Sequence, residues 1–301
     1  MKILLTGTNG LVGSTIIADV YIKGRLHVDL TSREQTLEYF QLHKPDAVIH
    51  TAARVGGLGA NMKHNAEFFD ENMRINMNVL EASRLTGVKK VVSFLSTCVF
   101  PDNIDYPITE DKLHGGEPHP SNYGYAYAKR MLEVQSRAIS EQYGLNYICV
   151  IPTNIYGPYD NFNLESSHVV PGLIHKCYIA KRHDTDLVVW GTGNPLREFI
   201  FSQDVGSLTQ RILDEYEGTG PIILSTSGEI SIRELVEAIA KAMDYKGKII
   251  FDRTKPDGQY RKPTSNRKLM SLLPKYKFTS LEDGINITVD WFVNNYKSCR
   301  K

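Results

Sequence analysis

The sequence predicts an α/β protein, a doubly wound parallel sheet joined to a smaller, mostly C-terminal α/β body. Three observations predict it. Short apolar runs recur through the first half: Ile3-Leu4-Leu5-Thr6, Ala47-Val48-Ile49-His50, Val91-Val92-Ser93-Phe94-Leu95 and Tyr147-Ile148-Cys149-Val150-Ile151. Stretches with apolar residues near helical spacing, 68–85 and 125–142, lie between them. The first run ends in a glycine loop, Gly7-Thr8-Asn9-Gly10-Leu11-Val12-Gly13. Strands buried on both faces read as continuous apolar runs, and their alternation with helices implies βαβ units.

The glycine loop follows the first strand and is expected to open a helix. Glycines there let the backbone turn sharply and approach a pyrophosphate seated on the helix N-terminus, as in a Rossmann-type dinucleotide site. A glycine-rich βα turn without a ligand has the same pattern. The interval from Gly10 to Asp29 is short, so the first crossover helix and the second strand must both be brief. Asp29-Leu30 is a candidate for the adenine edge, or Asp29 simply caps the helix that follows. Lys23, Arg25 and Arg33 lie where a ribose 2′-phosphate would be read, or are solvated surface charges.

The second half is less regular. Residues 171–181 read as a helix with Pro171 in its first turn. Leu187–Trp190 and 199–202 read as strands, 204–216 as a helix, and Ile222–Leu224 as another strand. Ser231-Ile232-Arg233-Glu234 has capping-box form and opens a helix to about Met243. Thr279-Ser280-Leu281-Glu282 is expected to do the same for a terminal helix through Trp291 and Phe292. Residues 1–154 with about 198–225 are assigned to a dinucleotide-binding domain, and about 155–197 with 226–301 to a substrate domain, with a cleft between them.

Composition narrows the function. The 301 residues carry 35 Lys+Arg against 34 Asp+Glu, a net charge of +1, without the basic footprint of most nucleic-acid binders or of a polybasic membrane-surface protein. No apolar run reaches the ~18 residues of a membrane span. Cys98, Cys149, Cys177 and Cys299 are widely spaced with no CxxC, so neither a disulfide framework nor a metal site is expected. The glycine loop follows Met1 too closely for a signal peptide. A reduced, cytoplasmic protein is expected.

Chemistry gathers at a strand end. Ser96 follows an apolar strand, and ligands of open parallel sheets bind beyond the carboxyl ends of strands. Tyr125 and Lys129 stand four apart and share a helix face. An ammonium near a tyrosine is expected to favour its phenolate, so that Tyr125 exchanges a proton with a substrate oxygen that Ser96 also holds. A Tyr-xxx-Lys pair alone marks any amphipathic helix. The glycine loop and the serine about thirty residues upstream make it specific.

With these motifs the chain resembles the extended short-chain dehydrogenase/reductases. More narrowly, it is similar to the GDP-4-keto-6-deoxy-D-mannose 3,5-epimerase/4-reductases. The segments that carry the resemblance span nearly the whole chain. They are Ala52-Ala53-Arg54-Val55-Gly56-Gly57, Ser96-Thr97-Cys98-Val99-Phe100-Pro101, Gly124-Tyr125-Ala126-Tyr127-Ala128-Lys129 and Pro152-Thr153-Asn154-Ile155-Tyr156-Gly157-Pro158. Asp160-Asn161-Phe162, Ser167-His168-Val169-Val170-Pro171, Trp190-Gly191-Thr192-Gly193, Arg197-Glu198-Phe199 and Lys255-Pro256-Asp257-Gly258 complete them. The segment between Ser14 and Asp29 departs from the family.

The resemblance implies an NADPH-dependent enzyme, with NADH possible, that makes GDP-L-fucose and forms a homodimer through the helices around 68–85 and 125–142. It implies Cys98 and His168 as base and acid of the epimerisation, with Ser96, Tyr125 and Lys129 serving reduction. It further implies cofactor contacts from the loop residues Gly7 to Gly13, from Asp29, Leu30, Ala52, Ala53, Pro152 and Asn154, and from Ser96, Tyr125, Lys129 and His168. Asn154, Lys176, Trp190, Arg197 and Asp257 would hold the GDP-sugar. Each has an ordinary alternative: Cys98 as a small core residue, Trp190 as core, Lys176 as a solvated helix face, Asp257 as a turn former. A reductase on another nucleotide-linked 4-keto sugar, such as a GDP-heptose, or a non-catalytic dinucleotide sensor, remains open as an alternative.

Overall fold

The computed structural model describes residues 1–257 and 259–301, so Gly258 of the Lys255-Pro256-Asp257-Gly258 segment lies outside the described residues. The elements run in the order β1 (Ile3–Thr6), β2 (Val20–Ile22), α1 (Arg33–His43), β3 (Ala47–His50), α2 (Leu58–Lys63), α3 (Asn65–Leu85), β4 (Lys90–Phe94), α4 (Tyr123–Tyr143), β5 (Asn146–Pro152) and β6 (Asn154–Tyr156). They continue as α5 (Val169–His183), β7 (Leu187–Trp190), β8 (Leu196–Phe201), α6 (Ser202–Glu215), β9 (Ile222–Leu224), β10 (Glu229–Ser231), α7 (Ile232–Ala242), β11 (Ile249–Asp252), α8 (Arg267–Leu272) and α9 (Leu281–Asn294).

Six strands form one parallel sheet in the order β2-β1-β3-β4-β5-β9, as the apolar runs predict. The chain passes from β1 to β2 on one side and then to β3 on the other, so the order reverses at β1, the place where such sheets bind ligands. Leu4, Val48, Val91 and Cys149 bury one face with Val79, Leu80 and Leu132 from α3 and α4. Leu5, Ile49, Val92 and Ile148 bury the other with Val205, Leu208 and Ile212 of α6 and Leu269 of α8. A separate core joins α5, α7 and α9 to β6, β7 and β8 through Tyr156, Phe162, Ile174, Phe201, Leu235 and Phe292.

Three expectations need correction. The glycine loop does not open an α-helix: Gly13–Thr15 makes a single 3-10 turn, which ends at Ile16 in extended backbone, and the chain enters β2 at Val20. The interval is too short for more, because residues 7–19 must return to the start of the neighbouring parallel strand, and β-branched Thr15, Ile16 and Ile17 favour extension. The terminal helix is capped one residue later than its sequence suggests. Thr279 is taken by Asp204, whose carboxylate accepts its N–H at 2.9 Å and its hydroxyl at 3.2 Å, so Ser280 caps and receives the Asp283 N–H at 3.1 Å. The strand read at 199–202 runs instead over Leu196–Phe201, and Ser202 already belongs to α6.

Candidate active site

The carboxyl ends of β1, β3, β4 and β5 carry, in turn, the glycine loop, Thr51-Ala52-Ala53, Ser96 and Asn154. At the loop the glycines are required by space. Gly7 has φ +75°, and a Cβ there would stand 2.7 Å from Thr51 Oγ1 and 2.8 Å from Ala52 N. A Cβ on Gly13 would stand 2.2 Å from the Gly7 carbonyl oxygen. This tight backbone hairpin, with Thr8 and Asn9 at its tip, has the form of a phosphate cradle. Val12 faces the core, and Ala52 and Ala53 are half-buried beside the loop.

A polar thread ties this loop to α4. Ala52 N–H donates to Thr6 Oγ1 (3.1 Å), which meets His50 Nδ1 (2.8 Å). His50 Nε2 meets Asn76 Oδ1 (3.2 Å), and Asn76 Nδ2 donates to the Ala128 carbonyl (3.4 Å). Burial, with Lys129 close by, pushes His50 down to about 3, so its ring is neutral at physiological pH.

Tyr125 and Lys129 project from α4 as their spacing predicts. Lys129 is 1% exposed, and its ammonium donates to the Phe94 carbonyl at the end of β4 (2.7 Å) and lies 5.9 Å from the Tyr125 ring centroid. Burial lowers Lys129 to about 8. The electrostatics of Tyr125 reverse the sequence expectation. Burial first, and the neighbouring Cys98 second, push its hydroxyl far above the ordinary range. Burial thus opposes the phenolate that the spacing suggested and keeps the proton on the Tyr125 hydroxyl. Tyr123 and Tyr127, the other tyrosines of the motif, stack on each other outside this group.

Ser96 caps a 3-10 turn, residues Thr97–Val99, and its hydroxyl accepts the Cys98 N–H at 3.5 Å. Cys98 is thus presented beside Tyr125 and is not core. Burial raises its thiol above the ordinary value, and the Ser96 hydrogen bond and the charges of Lys262 and Lys129 offset this only in part. Cys149 and Cys177 are buried core residues, as their runs suggest.

His168 is the N-cap residue of α5, but its side chain makes no capping bond and is exposed. It faces Asp160, a carboxyl only 3% exposed that burial raises and that the charges of His168 and Arg300 oppose. A compact loop brings the two together: Asn163 Oδ1 accepts the Glu165 and Ser166 N–H groups (3.0 Å each), and Gly57 N–H donates to the Ser166 carbonyl (3.2 Å).

A small cavity of about 80 Å³ lies beside the Cys98 turn at Thr97, lined also by Thr153, Asn154, Arg197, Glu198, Gln259 and Lys262. Asn154 donates to the Glu198 carbonyl (2.7 Å), and Pro152 is buried at the end of β5. Lys262, which the sequence reading passed over, donates to the Thr97 carbonyl (3.0 Å). It lies 165 residues from its partner, and no local pattern could have revealed it. Farther out, Trp190 is 62% exposed, and the ammonium groups of Lys176 and Lys255 lie 4.7 and 5.7 Å from its ring centroid. An exposed indole flanked by cations suits a nucleotide base and its phosphates. Asp257 is turned onto Thr192, accepting its N–H at 2.6 Å and its hydroxyl at 2.8 Å, so it braces the turn after β7.

The candidate adenine residues divide. Leu30 is a core side chain. Asp29 accepts the Thr31 N–H (2.9 Å) and hydroxyl (2.7 Å) and pairs with Arg25 (3.1 Å). Slight burial raises it, but these bonds outweigh burial and hold it below the ordinary carboxylate range. Arg33 pairs with Glu81 (2.7 Å).

The glycine cradle, the strand-end serine and the Tyr–Lys pair define a dinucleotide-dependent oxidoreductase of the short-chain type. Residues 3–224 match the NAD dependent epimerase/dehydratase family, and the chain belongs to that family. Within it, the chain is 50% identical to the GDP-L-fucose synthase of Dictyostelium discoideum, over 99% of this chain and 97% of that protein. It superposes with TM-score 0.94 on a GDP-L-fucose synthetase from Naegleria fowleri bound to NADP, 43% identical and covering 99% and 94% of the two chains. A GDP-6-OMe-4-keto-L-xylo-heptose reductase from C. jejuni aligns with TM-score 0.88 at 25% identity, covering 98% of each chain.

Proposed function

We propose that this chain is a bifunctional enzyme, a 3,5-epimerase and NADPH-dependent 4-reductase that converts GDP-4-keto-6-deoxy-D-mannose to GDP-L-fucose. One observation carries the reading: a thiol, Cys98, stands within electrostatic reach of the proton-holding Tyr125 and the buried Lys129. A plain reductase needs only the second pair.

The 4-keto group acidifies the hydrogens at C3 and C5. Cys98, as thiolate, removes one, and His168 returns a proton on the other face. Ser96 and Tyr125 hold the 4-keto oxygen while it carries enolate charge. Gly7 to Gly13 would hold a dinucleotide, which would supply a hydride for C4, and Tyr125 gives O4 its proton. Lys129 holds the electrostatics of Tyr125. Trp190, Lys176 and Arg197 grip the GDP moiety, and Asn154 orients the sugar. Incubation with GDP-4-keto-6-deoxy-D-mannose and NADPH tests this: NMR is expected to show inversion at both C3 and C5 together with a reduced C4. A C4-reduced product that keeps both configurations would replace the reading by the plain 4-reductase, a reaction the heptose reductase neighbour makes specific.

NADPH is expected to be preferred over NADH. Among the described residues Lys23 has no carboxylate partner, whereas Arg25 and Arg33 are paired. Lys23 directly follows Ile22, whose carbonyl accepts the Gly7 N–H (3.0 Å), so it stands abreast of the cradle where a 2′-phosphate would lie. Lys23→Ala is expected to weaken NADPH binding about five- to tenfold, the worth of one charged contact, and to leave NADH binding unchanged. Fluorescence titration reads both constants, and equal losses for the two cofactors would remove Lys23 from the 2′-phosphate site.

The reading includes a homodimer through the outer faces of α3 and α4, where Met77, Leu85 and Tyr143 are exposed. Sedimentation at micromolar concentration is expected to give twice the chain mass, and a monomer would contradict it. It also includes the two-domain division with boundaries near 154, 198 and 225, and a cytoplasmic setting, since a free catalytic thiol persists in a reducing compartment. No described helix is long and apolar enough to cross a membrane.

A further inference from the structure

Arg130 follows Lys129 on α4 and reaches the turn that carries Cys98. It is 4% exposed. Its Nε–H donates to the Val99 carbonyl at 2.6 Å, its guanidinium lies 5.3 Å from the Tyr127 ring centroid, and one terminal nitrogen is buried without a partner. On the other side Lys262 donates to the Thr97 carbonyl at 3.0 Å. The two residues that flank Cys98 therefore each have their carbonyl held by a cation, buried at Arg130 and half-buried at Lys262. The turn itself has only two weak backbone bonds, Val99 N–H to Ser96 O (3.1 Å) and Phe100 N–H to Thr97 O (3.3 Å). A three-residue 3-10 turn of this kind does not fix a side chain by itself.

We propose that Arg130 is a positioning residue for Cys98, fixing the turn that carries the base to the helix that carries the proton donor and favouring the thiolate by its charge. The proposal rests on the epimerase/reductase reading. Its physical basis is that Cys98 and Tyr125 must act on neighbouring atoms of one sugar ring, so their relative placement has to hold within about half an ångström. Tyr125 and Arg130 lie on the same rigid helix, and the Arg130–Val99 bond carries that rigidity to Cys98. Lys262 and Lys129 act on the thiol by their charge, and Arg130 is a third cation within electrostatic reach of it.

The test uses the full chain with Arg130→Met and Arg130→Lys. In D2O, deuterium uptake at C3 and C5 of GDP-4-keto-6-deoxy-D-mannose reads epimerisation. Iodoacetamide alkylation of Cys98 against pH, followed by mass spectrometry, reads thiolate formation. Arg130→Met is expected to slow deuterium uptake about tenfold, the loss of one charge-assisted hydrogen bond, and to move the alkylation profile to higher pH. Reduction of an already epimerised 4-keto sugar is expected to stay near wild type. Arg130→Lys keeps the charge and is expected to restore the alkylation profile with partial uptake; it carries the test alone if the methionine variant does not fold. Wild-type uptake and alkylation in the folded variants, or equal losses of epimerisation and reduction, would overturn the proposal while leaving the epimerase/reductase reading intact. Absence of uptake by the unmodified protein would instead overturn that reading.

Discussion

Tyr125→Phe is expected to lower 4-keto reduction by about 10²–10⁴-fold, the usual contribution of a positioned proton donor, and to leave cofactor binding close to wild type. The ring already sits edge-on to Phe68, with centroids 6.3 Å apart, and has the Lys129 ammonium 5.9 Å from its centre. A phenyl group keeps both contacts. What is lost is a hydroxyl that burial keeps protonated, which is the state required to deliver a proton to O4. Rising pH is not expected to switch wild-type Tyr125 off until well beyond neutrality, because its folded-state pKa is raised. Loss of NADPH absorbance gives the rate directly, and near-normal turnover in the variant would remove Tyr125 from the chemistry.

Cys98→Ser is expected to abolish solvent deuterium exchange at C3 and C5 while sparing Tyr125 and Lys129. Serine is nearly isosteric, but its hydroxyl ionises far above a thiol's ~8.5 and is a poor base near neutral pH. The neighbouring cations Lys262 and Lys129 lower the thiol against its burial and have no comparable effect on a group so far from ionising. The variant should bind substrate and cofactor and slowly form a C4-reduced product with unaltered C3 and C5. His168→Asn is expected to impair the same half of the reaction, allowing exchange at one carbon without completed inversion. Exchange at wild-type rates in Cys98→Ser would take the cysteine out of the mechanism.

What could be read from the chain, and what could not, follows the range of the interactions. Tyr125 and Lys129 were visible because four residues on a helix is a fixed geometric offset, and Leu187–Trp190 because a strand is a local run. Cys98 and His168 came from resemblance, since one thiol and one imidazole carry no periodic signal. The cations around Cys98 were invisible in kind: nothing local marks Arg130 as buried against Val99, and Lys262 meets Thr97 from far along the chain. Asp257 and Thr192 close a contact across 65 residues that turns a carboxylate inward. The reversed character of Tyr125 was hidden for a related reason. Burial is set by Phe68 and the Cys98 turn together, and model-compound values say nothing of it.

The single 3-10 turn that stands in for the first crossover helix makes β2 the least protected margin of the large sheet. Ile17 beside it is three-quarters exposed and Leu26 fully so. The strand itself is anchored by the buried Val20 and Ile22, so the open apolar surface lies in the chain on either side of it. Because the Ile22 carbonyl is the acceptor for Gly7 N–H, each opening of β2 also unmakes the cradle. A dinucleotide recognises only the closed population, so its apparent affinity is scaled by the fraction of molecules whose edge strand is annealed. Any opening of this three-residue strand would therefore compete directly with cofactor capture.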